Sequence, residues 1–387
     1  MRRQRLSNHP IRGKQSMTKP RLIAYYLPQF HPIPENDSWW GEGFTEWTNV
    51  RKAKPLFKGH YQPHIPTDLG YYDLRDPSAR ERQAELARQA GIEGFCYWHY
   101  WFAGKRLLEK PFDEVLASGK PAFPFCLAWA NASWTGIWYG AADRVLQEQT
   151  YPGAEDHRAH FENLLPAFRD GRYIRVDDKP LFVVYQPGDL SAEDVALWQS
   201  LARAAGLPGL HLTGIVNNLA EARAAREVGF DACTISRTSG RGGRLTWDRE
   251  LFRRLAGPNR AAKRYQQLFR KPYHVYDNRE AAAYIDLNPP AGMDFYPCVF
   301  PGWDNTPRSG LNGLVFTHSS PGLFQEHLRQ AAARVANYPA EHQIIILKSW
   351  NEWAEGNYLE PEQRFGTGFL DALKAFFEEQ REARNGF

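Results

Sequence analysis

Short apolar runs recur along the whole chain, and most of them are rich in β-branched or aromatic side chains. The run at 344–347 (Ile-Ile-Ile-Leu) contains no polar position at all. An unbroken apolar run of this length is typical of a strand that is buried on both faces, as in a parallel sheet. The same reasoning predicts eight strands, at 21–27, 94–99, 123–129, 180–186, 210–217, 230–236, 294–300 and 344–347.

The segments between these strands have the pattern of helices. Asp76 and Pro77 predict a helix start, since Asp caps free backbone amides and Pro fits the first turn, and Gly91 marks the end of that helix. Strands that alternate with helices predict an α/β protein, here a (β/α)8 TIM barrel with long βα loops and an insertion near 237–290. An open doubly wound sheet is the alternative, although the chain has neither a GxGxxG nor a GxxxxGK[ST] loop.

Tryptophan is concentrated where the predicted strands end. Of the 13 Trp residues, eleven lie at or after strand ends, and Trp198 and Trp247 do not. A barrel carries its functional site at the carboxyl ends of its strands, so this distribution predicts an aromatic groove there. Sugar rings stack their CH faces on aromatic side chains, which favours a carbohydrate ligand. The eleven residues are Trp39, Trp40, Trp47, Trp98, Trp101, Trp129, Trp134, Trp138, Trp303, Trp350 and Trp353.

Two carboxylates, Glu352 and Glu355, directly follow the last predicted strand and lie three residues apart. A helical turn would place both side chains on one face, whereas extended backbone would point them to opposite faces. A carboxylate pair among aromatic rings predicts glycosidic-bond chemistry, in which one carboxyl group is a general acid and the other assists attack at the anomeric carbon. The alternative is the first turn of a helix, where the helix dipole favours acidic residues.

Charge and cysteine use exclude several other classes. The net charge is +4, but residues 1–16 carry five cations and no acid, which leaves −1 for the rest. A nearly neutral body lacks the basic groove that nucleic acid requires, so no nucleic-acid partner is expected. The four cysteines lie in predicted strands and form no CxxC pair, so neither a metal nor a cofactor is predicted. No apolar run reaches the length of about 18 residues that predicts a transmembrane helix.

The ends and the insertion lead to further expectations. Residues 1–18 are predicted to be a disordered basic tail, with Met17 as an alternative start of translation. Residues 19–387 are predicted to form one (β/α)8 catalytic domain, and we expect the protein in the cytoplasm. The basic stretch 263–271 is predicted to be a solvated helix face; a peripheral membrane contact or an anionic polysaccharide at this stretch stays open.

Several linked motifs identify a family. The chain resembles the WbsX-type, glycoside hydrolase family 99-like proteins of bacterial surface-polysaccharide metabolism, including that of O-antigen and lipopolysaccharide. The resemblance runs from Arg21 to the C-terminal helix. Its motifs are YLPQFHP at 26–32, GFTEW at 43–47, GFCYWHYW at 94–101, AWAN at 128–131, PGWDN at 301–305 and WNEWAEG at 350–356.

The resemblance implies a (β/α)8 barrel and retaining chemistry on mannoside-like α-glycosidic bonds. It implies that Glu352 is the base that helps the sugar's own 2-hydroxyl attack the anomeric carbon. Glu355 would protonate the leaving oxygen and later deprotonate the acceptor. The hydrolases resemble one another in having His where this chain has Ala354. Because WbsX-type proteins are commonly labelled glycosyltransferases, a nucleotide-sugar-dependent glycosyltransferase is one alternative, and a non-catalytic carbohydrate-binding barrel is a second.

The remaining candidates are expected to bind an oligosaccharide or polysaccharide substrate. Glu46 is either a third active carboxylate or a buried partner that orders its loop. His99 either hydrogen-bonds a sugar or is a core histidine. The predicted substrate-binding residues are Glu46, Trp47, Trp98, His99, Trp129, Asn131, Trp134, Trp303, Asp304, Trp350, Asn351, Trp353 and Glu360.

Overall fold

A parallel β-barrel forms the centre of the protein. The computed structural model describes residues 19–136, 141–235, 245, 247–279 and 288–385. The barrel strands within these ranges are β1 (Arg21–Tyr26), β2 (Gly94–Phe102), β3 (Phe125–Trp129), β4 (Lys179–Val184), β5 (His211–Ile215), β6 (Ala232–Thr234), β7 (Asp294–Tyr296), β8 (Cys298–Val299) and β9 (Ile344–Leu347).

The order of these strands shows how the barrel closes. Neighbours follow the path β7-β6-β5-β4-β3-β2-β1-β9-β8, and all of these pairings are parallel. Strands β7 and β8 stand at opposite ends of this path, yet Pro297 alone separates them in the chain. The carbonyl of Pro297 accepts a hydrogen bond of 2.9 Å from the Ile346 amide. The two short strands β7 and β8 together therefore count as one of the eight strands of the barrel. The predicted (β/α)8 barrel is confirmed.

Burial explains why the strands read as apolar runs. Every residue of β2, β3, β5 and β9 is buried, and in β1 all but Arg21 are. Helices cover the outer face of a (β/α)8 barrel and side chains fill its interior, so neither face of a strand meets water.

Helices connect the strands, and local sequence sets their ends. The side chain of Asp76 accepts from the Ser78 amide and Pro77 occupies the first turn, as predicted. Gly229 ends another helix in the left-handed region at φ +109°. The helices are Pro34–Trp40, Glu46–Lys52, Pro77–Gln89, Lys110–Ser118, Ala154–Arg169, Ala192–Ala204, Leu219–Val228, Trp247–Ala256, Pro258–Phe269, Thr306–Ser309, Pro321–Val335 and Gly368–Asn385.

The insertion contains the two helical pieces expected of it and one strand. Helices Trp247–Ala256 and Pro258–Phe269 precede strand His274–Asp277, which pairs in parallel with Leu314–Thr317 outside the barrel. Residues 237–244, 246 and 280–287 of the insertion, like the basic tail 1–18, lie outside the described residues. Further short strands are Lys105–Leu107, Trp134–Gly136, Ala141–Gln147, Arg175–Val176, Asn351–Glu352 and Asn357–Tyr358.

A search of the described helices for a stretch both long and apolar enough to cross a membrane found none.

Close packing at the start of β2 gives a stability prediction. A Cβ added at Gly94 would lie 2.3 Å from the Pro124 carbonyl oxygen, which belongs to the rigid backbone of the neighbouring strand. We expect Gly94→Ala to lower the free energy of unfolding by about 1–3 kcal/mol, as overpacking of a core does. The measurement is the midpoint of urea unfolding. Gly171→Ala is the matched control, because no atom lies within 4 Å of its added Cβ. Equal midpoints for the two variants would contradict this packing.

Candidate active site

The segment after β9 folds into a small hairpin that brings two carboxyl groups together. Strand Asn351–Glu352 pairs antiparallel with Asn357–Tyr358, and a 3-10 turn, Trp353–Glu355, connects them. The turn ends at Gly356, whose φ is +64°, and a Cβ there would lie 2.7 Å from the Asp304 amide nitrogen. Both carboxyl groups lie within 4 Å of one cation, Lys348 Nζ. The helical turn considered for this pair is thus a 3-10 turn between two short strands.

The pair lies in a cleft of about 240 Å³, which we call the glutamate cleft. Five of its sixteen lining residues are aromatic, and two cations lie close to the carboxyl groups. The lining residues are Leu27, Gln29, Trp40, Trp98, Tyr100, Ala130, Ala132, Ser133, Trp134, Thr135, Leu146, Tyr185, Arg308, Lys348, Glu352 and Glu355.

Glu355 is held in its ionised form. Arg308 Nη1 forms a short ion pair with Glu355 Oε1, and Lys348 Nζ lies 3.5 Å from its Oε2. Burial alone would raise the pKa of Glu355, but Lys348 and Arg308 outweigh it, and the neighbouring Glu352 carboxyl group acts in the same direction, so the pKa falls to about 2. Glu355 is therefore an anion at neutral pH in the ligand-free protein.

Glu352 has the opposite tendency. Trp98 Nε1 donates a hydrogen bond of 2.9 Å to Glu352 Oε1, and Lys348 Nζ lies 3.8 Å from its Oε2. Burial raises the pKa of Glu352 to about 7; Lys348 opposes the rise, and the negative charge of Glu355 adds to it. The two carboxyl groups titrate as one unit, which carries one proton over much of the pH range. Such a pair can donate and accept protons near neutral pH.

Arg308 connects the pair to Glu46. Its Nε and Nη2 atoms lie 2.8 and 2.6 Å from Glu46 Oε1, and the Glu46 side chain is fully buried. Glu46 does not line the glutamate cleft. Of the two expectations for this residue, the structure favours the buried partner, which orients the guanidinium group that contacts Glu355.

Several predicted substrate-binding residues lie behind the cleft and support the hairpin. The Asn351 side chain accepts from the Leu27 amide at 2.7 Å and donates to the Leu27 carbonyl at 3.0 Å, which ties the hairpin to the end of β1. Glu360 is buried and accepts from Trp353 Nε1 at 2.6 Å. Burial raises the pKa of Glu360 to about 7. These residues position the glutamate pair and do not line its cleft.

The predicted aromatic residues divide into two groups. Trp98 and Trp134 line the glutamate cleft, as expected. Trp350 and Trp129 are fully buried, and Trp47 packs against the buried Trp353 with ring centroids 5.4 Å apart. This second group packs in the protein interior and does not line the cleft. Trp138, on the same predicted rim, lies outside the described residues.

His99 and Asn131 are also internal. His99 Nε2 lies 2.8 Å from His160 Nε2, and burial lowers the pKa of His99 to about 3. Asn131 donates to the Tyr151 hydroxyl and to the Gln186 carbonyl, both at 2.9 Å. Of the two expectations for His99, the structure favours the core histidine.

Trp303 and Asp304 line a second cavity, of about 410 Å³, which we call the rim pocket. Asp304 Oδ2 is 2.6 Å from His60 Nε2 and accepts from Gln62 Nε2 at 2.7 Å. The Asp304 amide donates to the Glu355 carbonyl at 2.7 Å. Asp304 therefore joins the wall of the rim pocket to the turn that carries Glu355.

Arg308 and Lys348 are the cleft residues that sequence reasoning missed. Arg308 belongs to the four-residue helix Thr306–Ser309, which has no periodicity to interpret. Lys348 directly follows β9, where a barrel places functional residues, so its position was the available signal.

Comparison with protein-family profiles identifies the family of this chain. The profile of the family described as "Glycosyltransferase WbsX" matches residues 22–373. The chain belongs to this family.

Two curated relatives of this WbsX chain are named "Uncharacterized protein WxcX". They come from Xanthomonas campestris pv. campestris, strains B100 and ATCC 33913, and each is 40% identical over 358 residues. The match covers 91% of this chain and 49% of each relative, so the chain spans about half the length of the curated relatives.

Solved structures resemble the barrel. The glycoside hydrolase family 99 endo-alpha-mannosidase of Bacteroides thetaiotaomicron is 16% identical, with a TM-score of 0.57 over 95% of this chain and 99% of that chain. A "Glycoside hydrolase-like protein" is 15% identical, with a TM-score of 0.57 over 96% and 97% of the two chains. At this identity, the likeness concerns the fold.

The raised pKa of Glu352 predicts a pH dependence of stability. In the unfolded chain a Glu loses its proton near pH 4.5, whereas folded Glu352 keeps it to about pH 7. Between these values the folded state binds more protons, so the free energy of unfolding falls as the pH rises. We expect Glu352→Gln to remove this decline, of about 3 kcal/mol, when urea unfolding is measured from pH 4 to 8.

Glu42→Gln, at an exposed position, is the control and should follow the unmodified protein. A Glu352→Gln variant that keeps the full decline would show that another group holds the proton.

Proposed function

We propose that this WbsX protein makes or breaks a mannoside-like α-glycosidic bond, with retention, in bacterial surface-polysaccharide metabolism. The proposal depends on one observation: the carboxyl groups of Glu352 and Glu355 line the same cleft beside β9, and Lys348 Nζ lies within 4 Å of both. The family name and the endo-alpha-mannosidase fold support it. Tryptophan rings such as Trp98 and Trp134 offer faces for sugar CH groups, and the carboxyl pair offers the acid and the base.

The proposed reaction begins with a proton moving within the pair. The ligand-free protein favours the proton on Glu352 and the charge on Glu355, the reverse of what the family roles require. Because both carboxyl groups lie against Lys348 Nζ in the same cleft, that proton has a short path to Glu355. Once it has moved, Glu352 is an ionised base and Glu355 is a neutral acid.

The bond changes then follow from these roles. Glu352 takes the proton of the sugar's 2-hydroxyl, whose oxygen attacks the anomeric carbon and closes a 1,2-anhydro ring. Glu355 gives its proton to the leaving oxygen as the glycosidic bond breaks. In the second half, Glu355 takes a proton from the incoming hydroxyl and Glu352 returns its proton to the 2-oxygen. The pair ends with the single proton it began with, and two inversions give overall retention.

Arg308 and Lys348 stabilise charge during these steps. In the first half, negative charge moves from Glu352 to Glu355, and Lys348 Nζ lies within 4 Å of both side chains. A fixed cation beside both carboxyl groups stabilises the charge before and after the transfer, so little reorganisation is needed. Water or a sugar hydroxyl can serve as acceptor through the same carboxyl groups.

A pair of variants tests the roles of the two glutamates. An α-mannosyl fluoride needs little help from an acid, because fluoride leaves without a proton, whereas a mannose leaving group needs the acid. We expect Glu355→Gln to lose about 10²- to 10⁴-fold in kcat/KM on the mannoside and far less on the fluoride. Glu352→Gln should lose activity on both substrates, because both need the base.

Glu42→Gln, at an exposed position, controls for the loss of one carboxylate. Variants that bind the mannoside while neither they nor the parent protein convert any substrate would instead point to a carbohydrate-binding barrel. Turnover of a nucleotide sugar alone would point to the nucleotide-dependent transferase.

A further inference from the structure

The rim pocket and the glutamate cleft are close neighbours. Trp303 lines the rim pocket, and Lys348 Nζ of the glutamate cleft lies 4.7 Å from the centroid of its ring. Gly356, which also lines the rim pocket, follows Glu355 directly in the chain. One tryptophan and one turn thus separate the two cavities. A long ligand in the glutamate cleft has the rim pocket as its neighbour.

The interior of the rim pocket is aromatic and preorganised. Hydrogen bonds fix its polar groups in place: the Tyr358 hydroxyl lies 2.6 Å from His64 Nδ1, and the Tyr61 hydroxyl donates to Glu362 at 2.7 Å. Rigid aromatic faces with fixed polar groups suit a sugar ring, since little ordering is needed on binding. The aromatic lining residues are Phe57, Tyr61, Trp303, Phe316, Tyr358, Phe365 and Phe369.

The charge at the edge of the rim pocket is positive. Lys58, His318 and Arg364 line it and are exposed, and the Arg364 guanidinium lies 4.9 Å from the centroids of the Tyr61 and Phe365 rings. Among the described lining residues Asp304 is the one acid, and its carboxylate is buried against His60. Lys58 and Arg364 are thus exposed to a ligand, whereas the Asp304 carboxylate is already engaged and His318 Nδ1 lies 3.4 Å from Asp277 Oδ2.

The backbone at His318 supports a ligand-binding role. This residue has a φ of +63°, in the left-handed region that favours glycine, and its side chain is 58% exposed. A histidine in this conformation is uncommon, and such strained residues cluster at ligand-binding sites.

A basic surface continues from the rim pocket. The Arg249 guanidinium lies 5.6 Å from the centroid of the Phe57 ring, which joins the helix Trp247–Ala256 to the pocket wall. The sequence 247–271 contains eight Lys and Arg against two Asp and Glu, a net charge of +6. An anionic chain that leaves the pocket on this side would pass over a surface of opposite charge.

From these observations we propose that the rim pocket binds a negatively charged sugar unit, carrying a carboxylate or a phosphate, of the glycan that the glutamate pair acts on. The proposal rests on the proposed function for the identity of that glycan. The aromatic faces bind the ring, and Lys58, Arg364 and His318 bind the anionic group. A neutral glycan would contact only the aromatic faces and would gain nothing from the charged side chains.

Calorimetric titration of the full chain tests this assignment. The probes are a mannuronate trisaccharide for the carboxylate, mannose 6-phosphate for the phosphate, and neutral mannotriose. We expect at least one acidic probe to bind about tenfold or more tightly than mannotriose. Arg364→Gln and Lys58→Gln should each weaken that probe about tenfold, the effect of one lost charge-assisted hydrogen bond. Arg223→Gln, an exposed cation that lines neither cavity, should leave its dissociation constant unchanged.

Three results would overturn the assignment. The first is equal affinity for neutral and acidic probes, and the second is an unchanged dissociation constant in both cation variants. The third is binding to phosphatidylglycerol vesicles that excludes the acidic probe, which would make this surface a membrane contact. Glu355→Gln separates this proposal from the catalytic one: acidic-probe binding that survives in this variant supports the pocket, whereas a parent protein that turns over no glycan rejects the function.

Discussion

A buried group of charges determines how the rest of the site is built. Arg308 and Lys348, both almost wholly buried, stand against the carboxyl groups of Glu46, Glu352 and Glu355. Three carboxyl groups and two cations are neutral together only when one proton is bound. A net charge is costly where water is excluded, so the cluster keeps that proton to about pH 7, on Glu352. The proton that a general acid needs therefore follows from charge balance.

The barrel makes this cluster possible because it gathers distant parts of the chain at one end. Glu46 follows β1, Trp98 lies in β2, Arg308 follows β8, and the glutamate pair follows β9. Short hydrogen bonds then fix the positions of these loops relative to one another. The Asn351 side chain joins the glutamate hairpin to the end of β1, and the Asp304 amide joins the Glu355 carbonyl to the loop after β8. The precision of the site thus depends on residues that do not touch its cleft.

The sequence was informative where the signal is local. The apolar run at 344–347 predicted β9 with its observed ends. The turn considered for the carboxyl pair is present as a 3-10 turn. The side on which a residue at a strand end lies is a different matter. Trp129 is the last residue of β3, and His99 is next to Trp98 in β2, yet Trp129 and His99 pack against Trp198 and His160 on the outer helices. Nothing in the residues next to them distinguishes these directions.

Contacts between residues that are far apart in the chain are a second feature that the sequence does not reveal. Arg308 is separated from Glu46 by 262 residues and from Glu355 by 47, so no local spacing reveals the cluster. The same holds for Glu360, an acidic residue on the predicted rim whose role became clear only with its donor Trp353 in place. A carboxylate near a barrel rim can be reactive or structural, and the difference lies in its hydrogen-bond donors and in whether a cavity reaches it.

The neutral cluster also bears on the choice between hydrolysis and transfer. After the first half of the proposed reaction, Glu355 is an anion that must remove a proton from whichever hydroxyl arrives. Water and a sugar hydroxyl meet this requirement equally, so the carboxyl pair itself does not select the acceptor. Selection has to come from binding next to Glu355, where Gly356 and Trp303 separate the glutamate cleft from the rim pocket. A sugar anchored there would hold its hydroxyl in position, and such positioning raises effective concentration far above that of a free molecule.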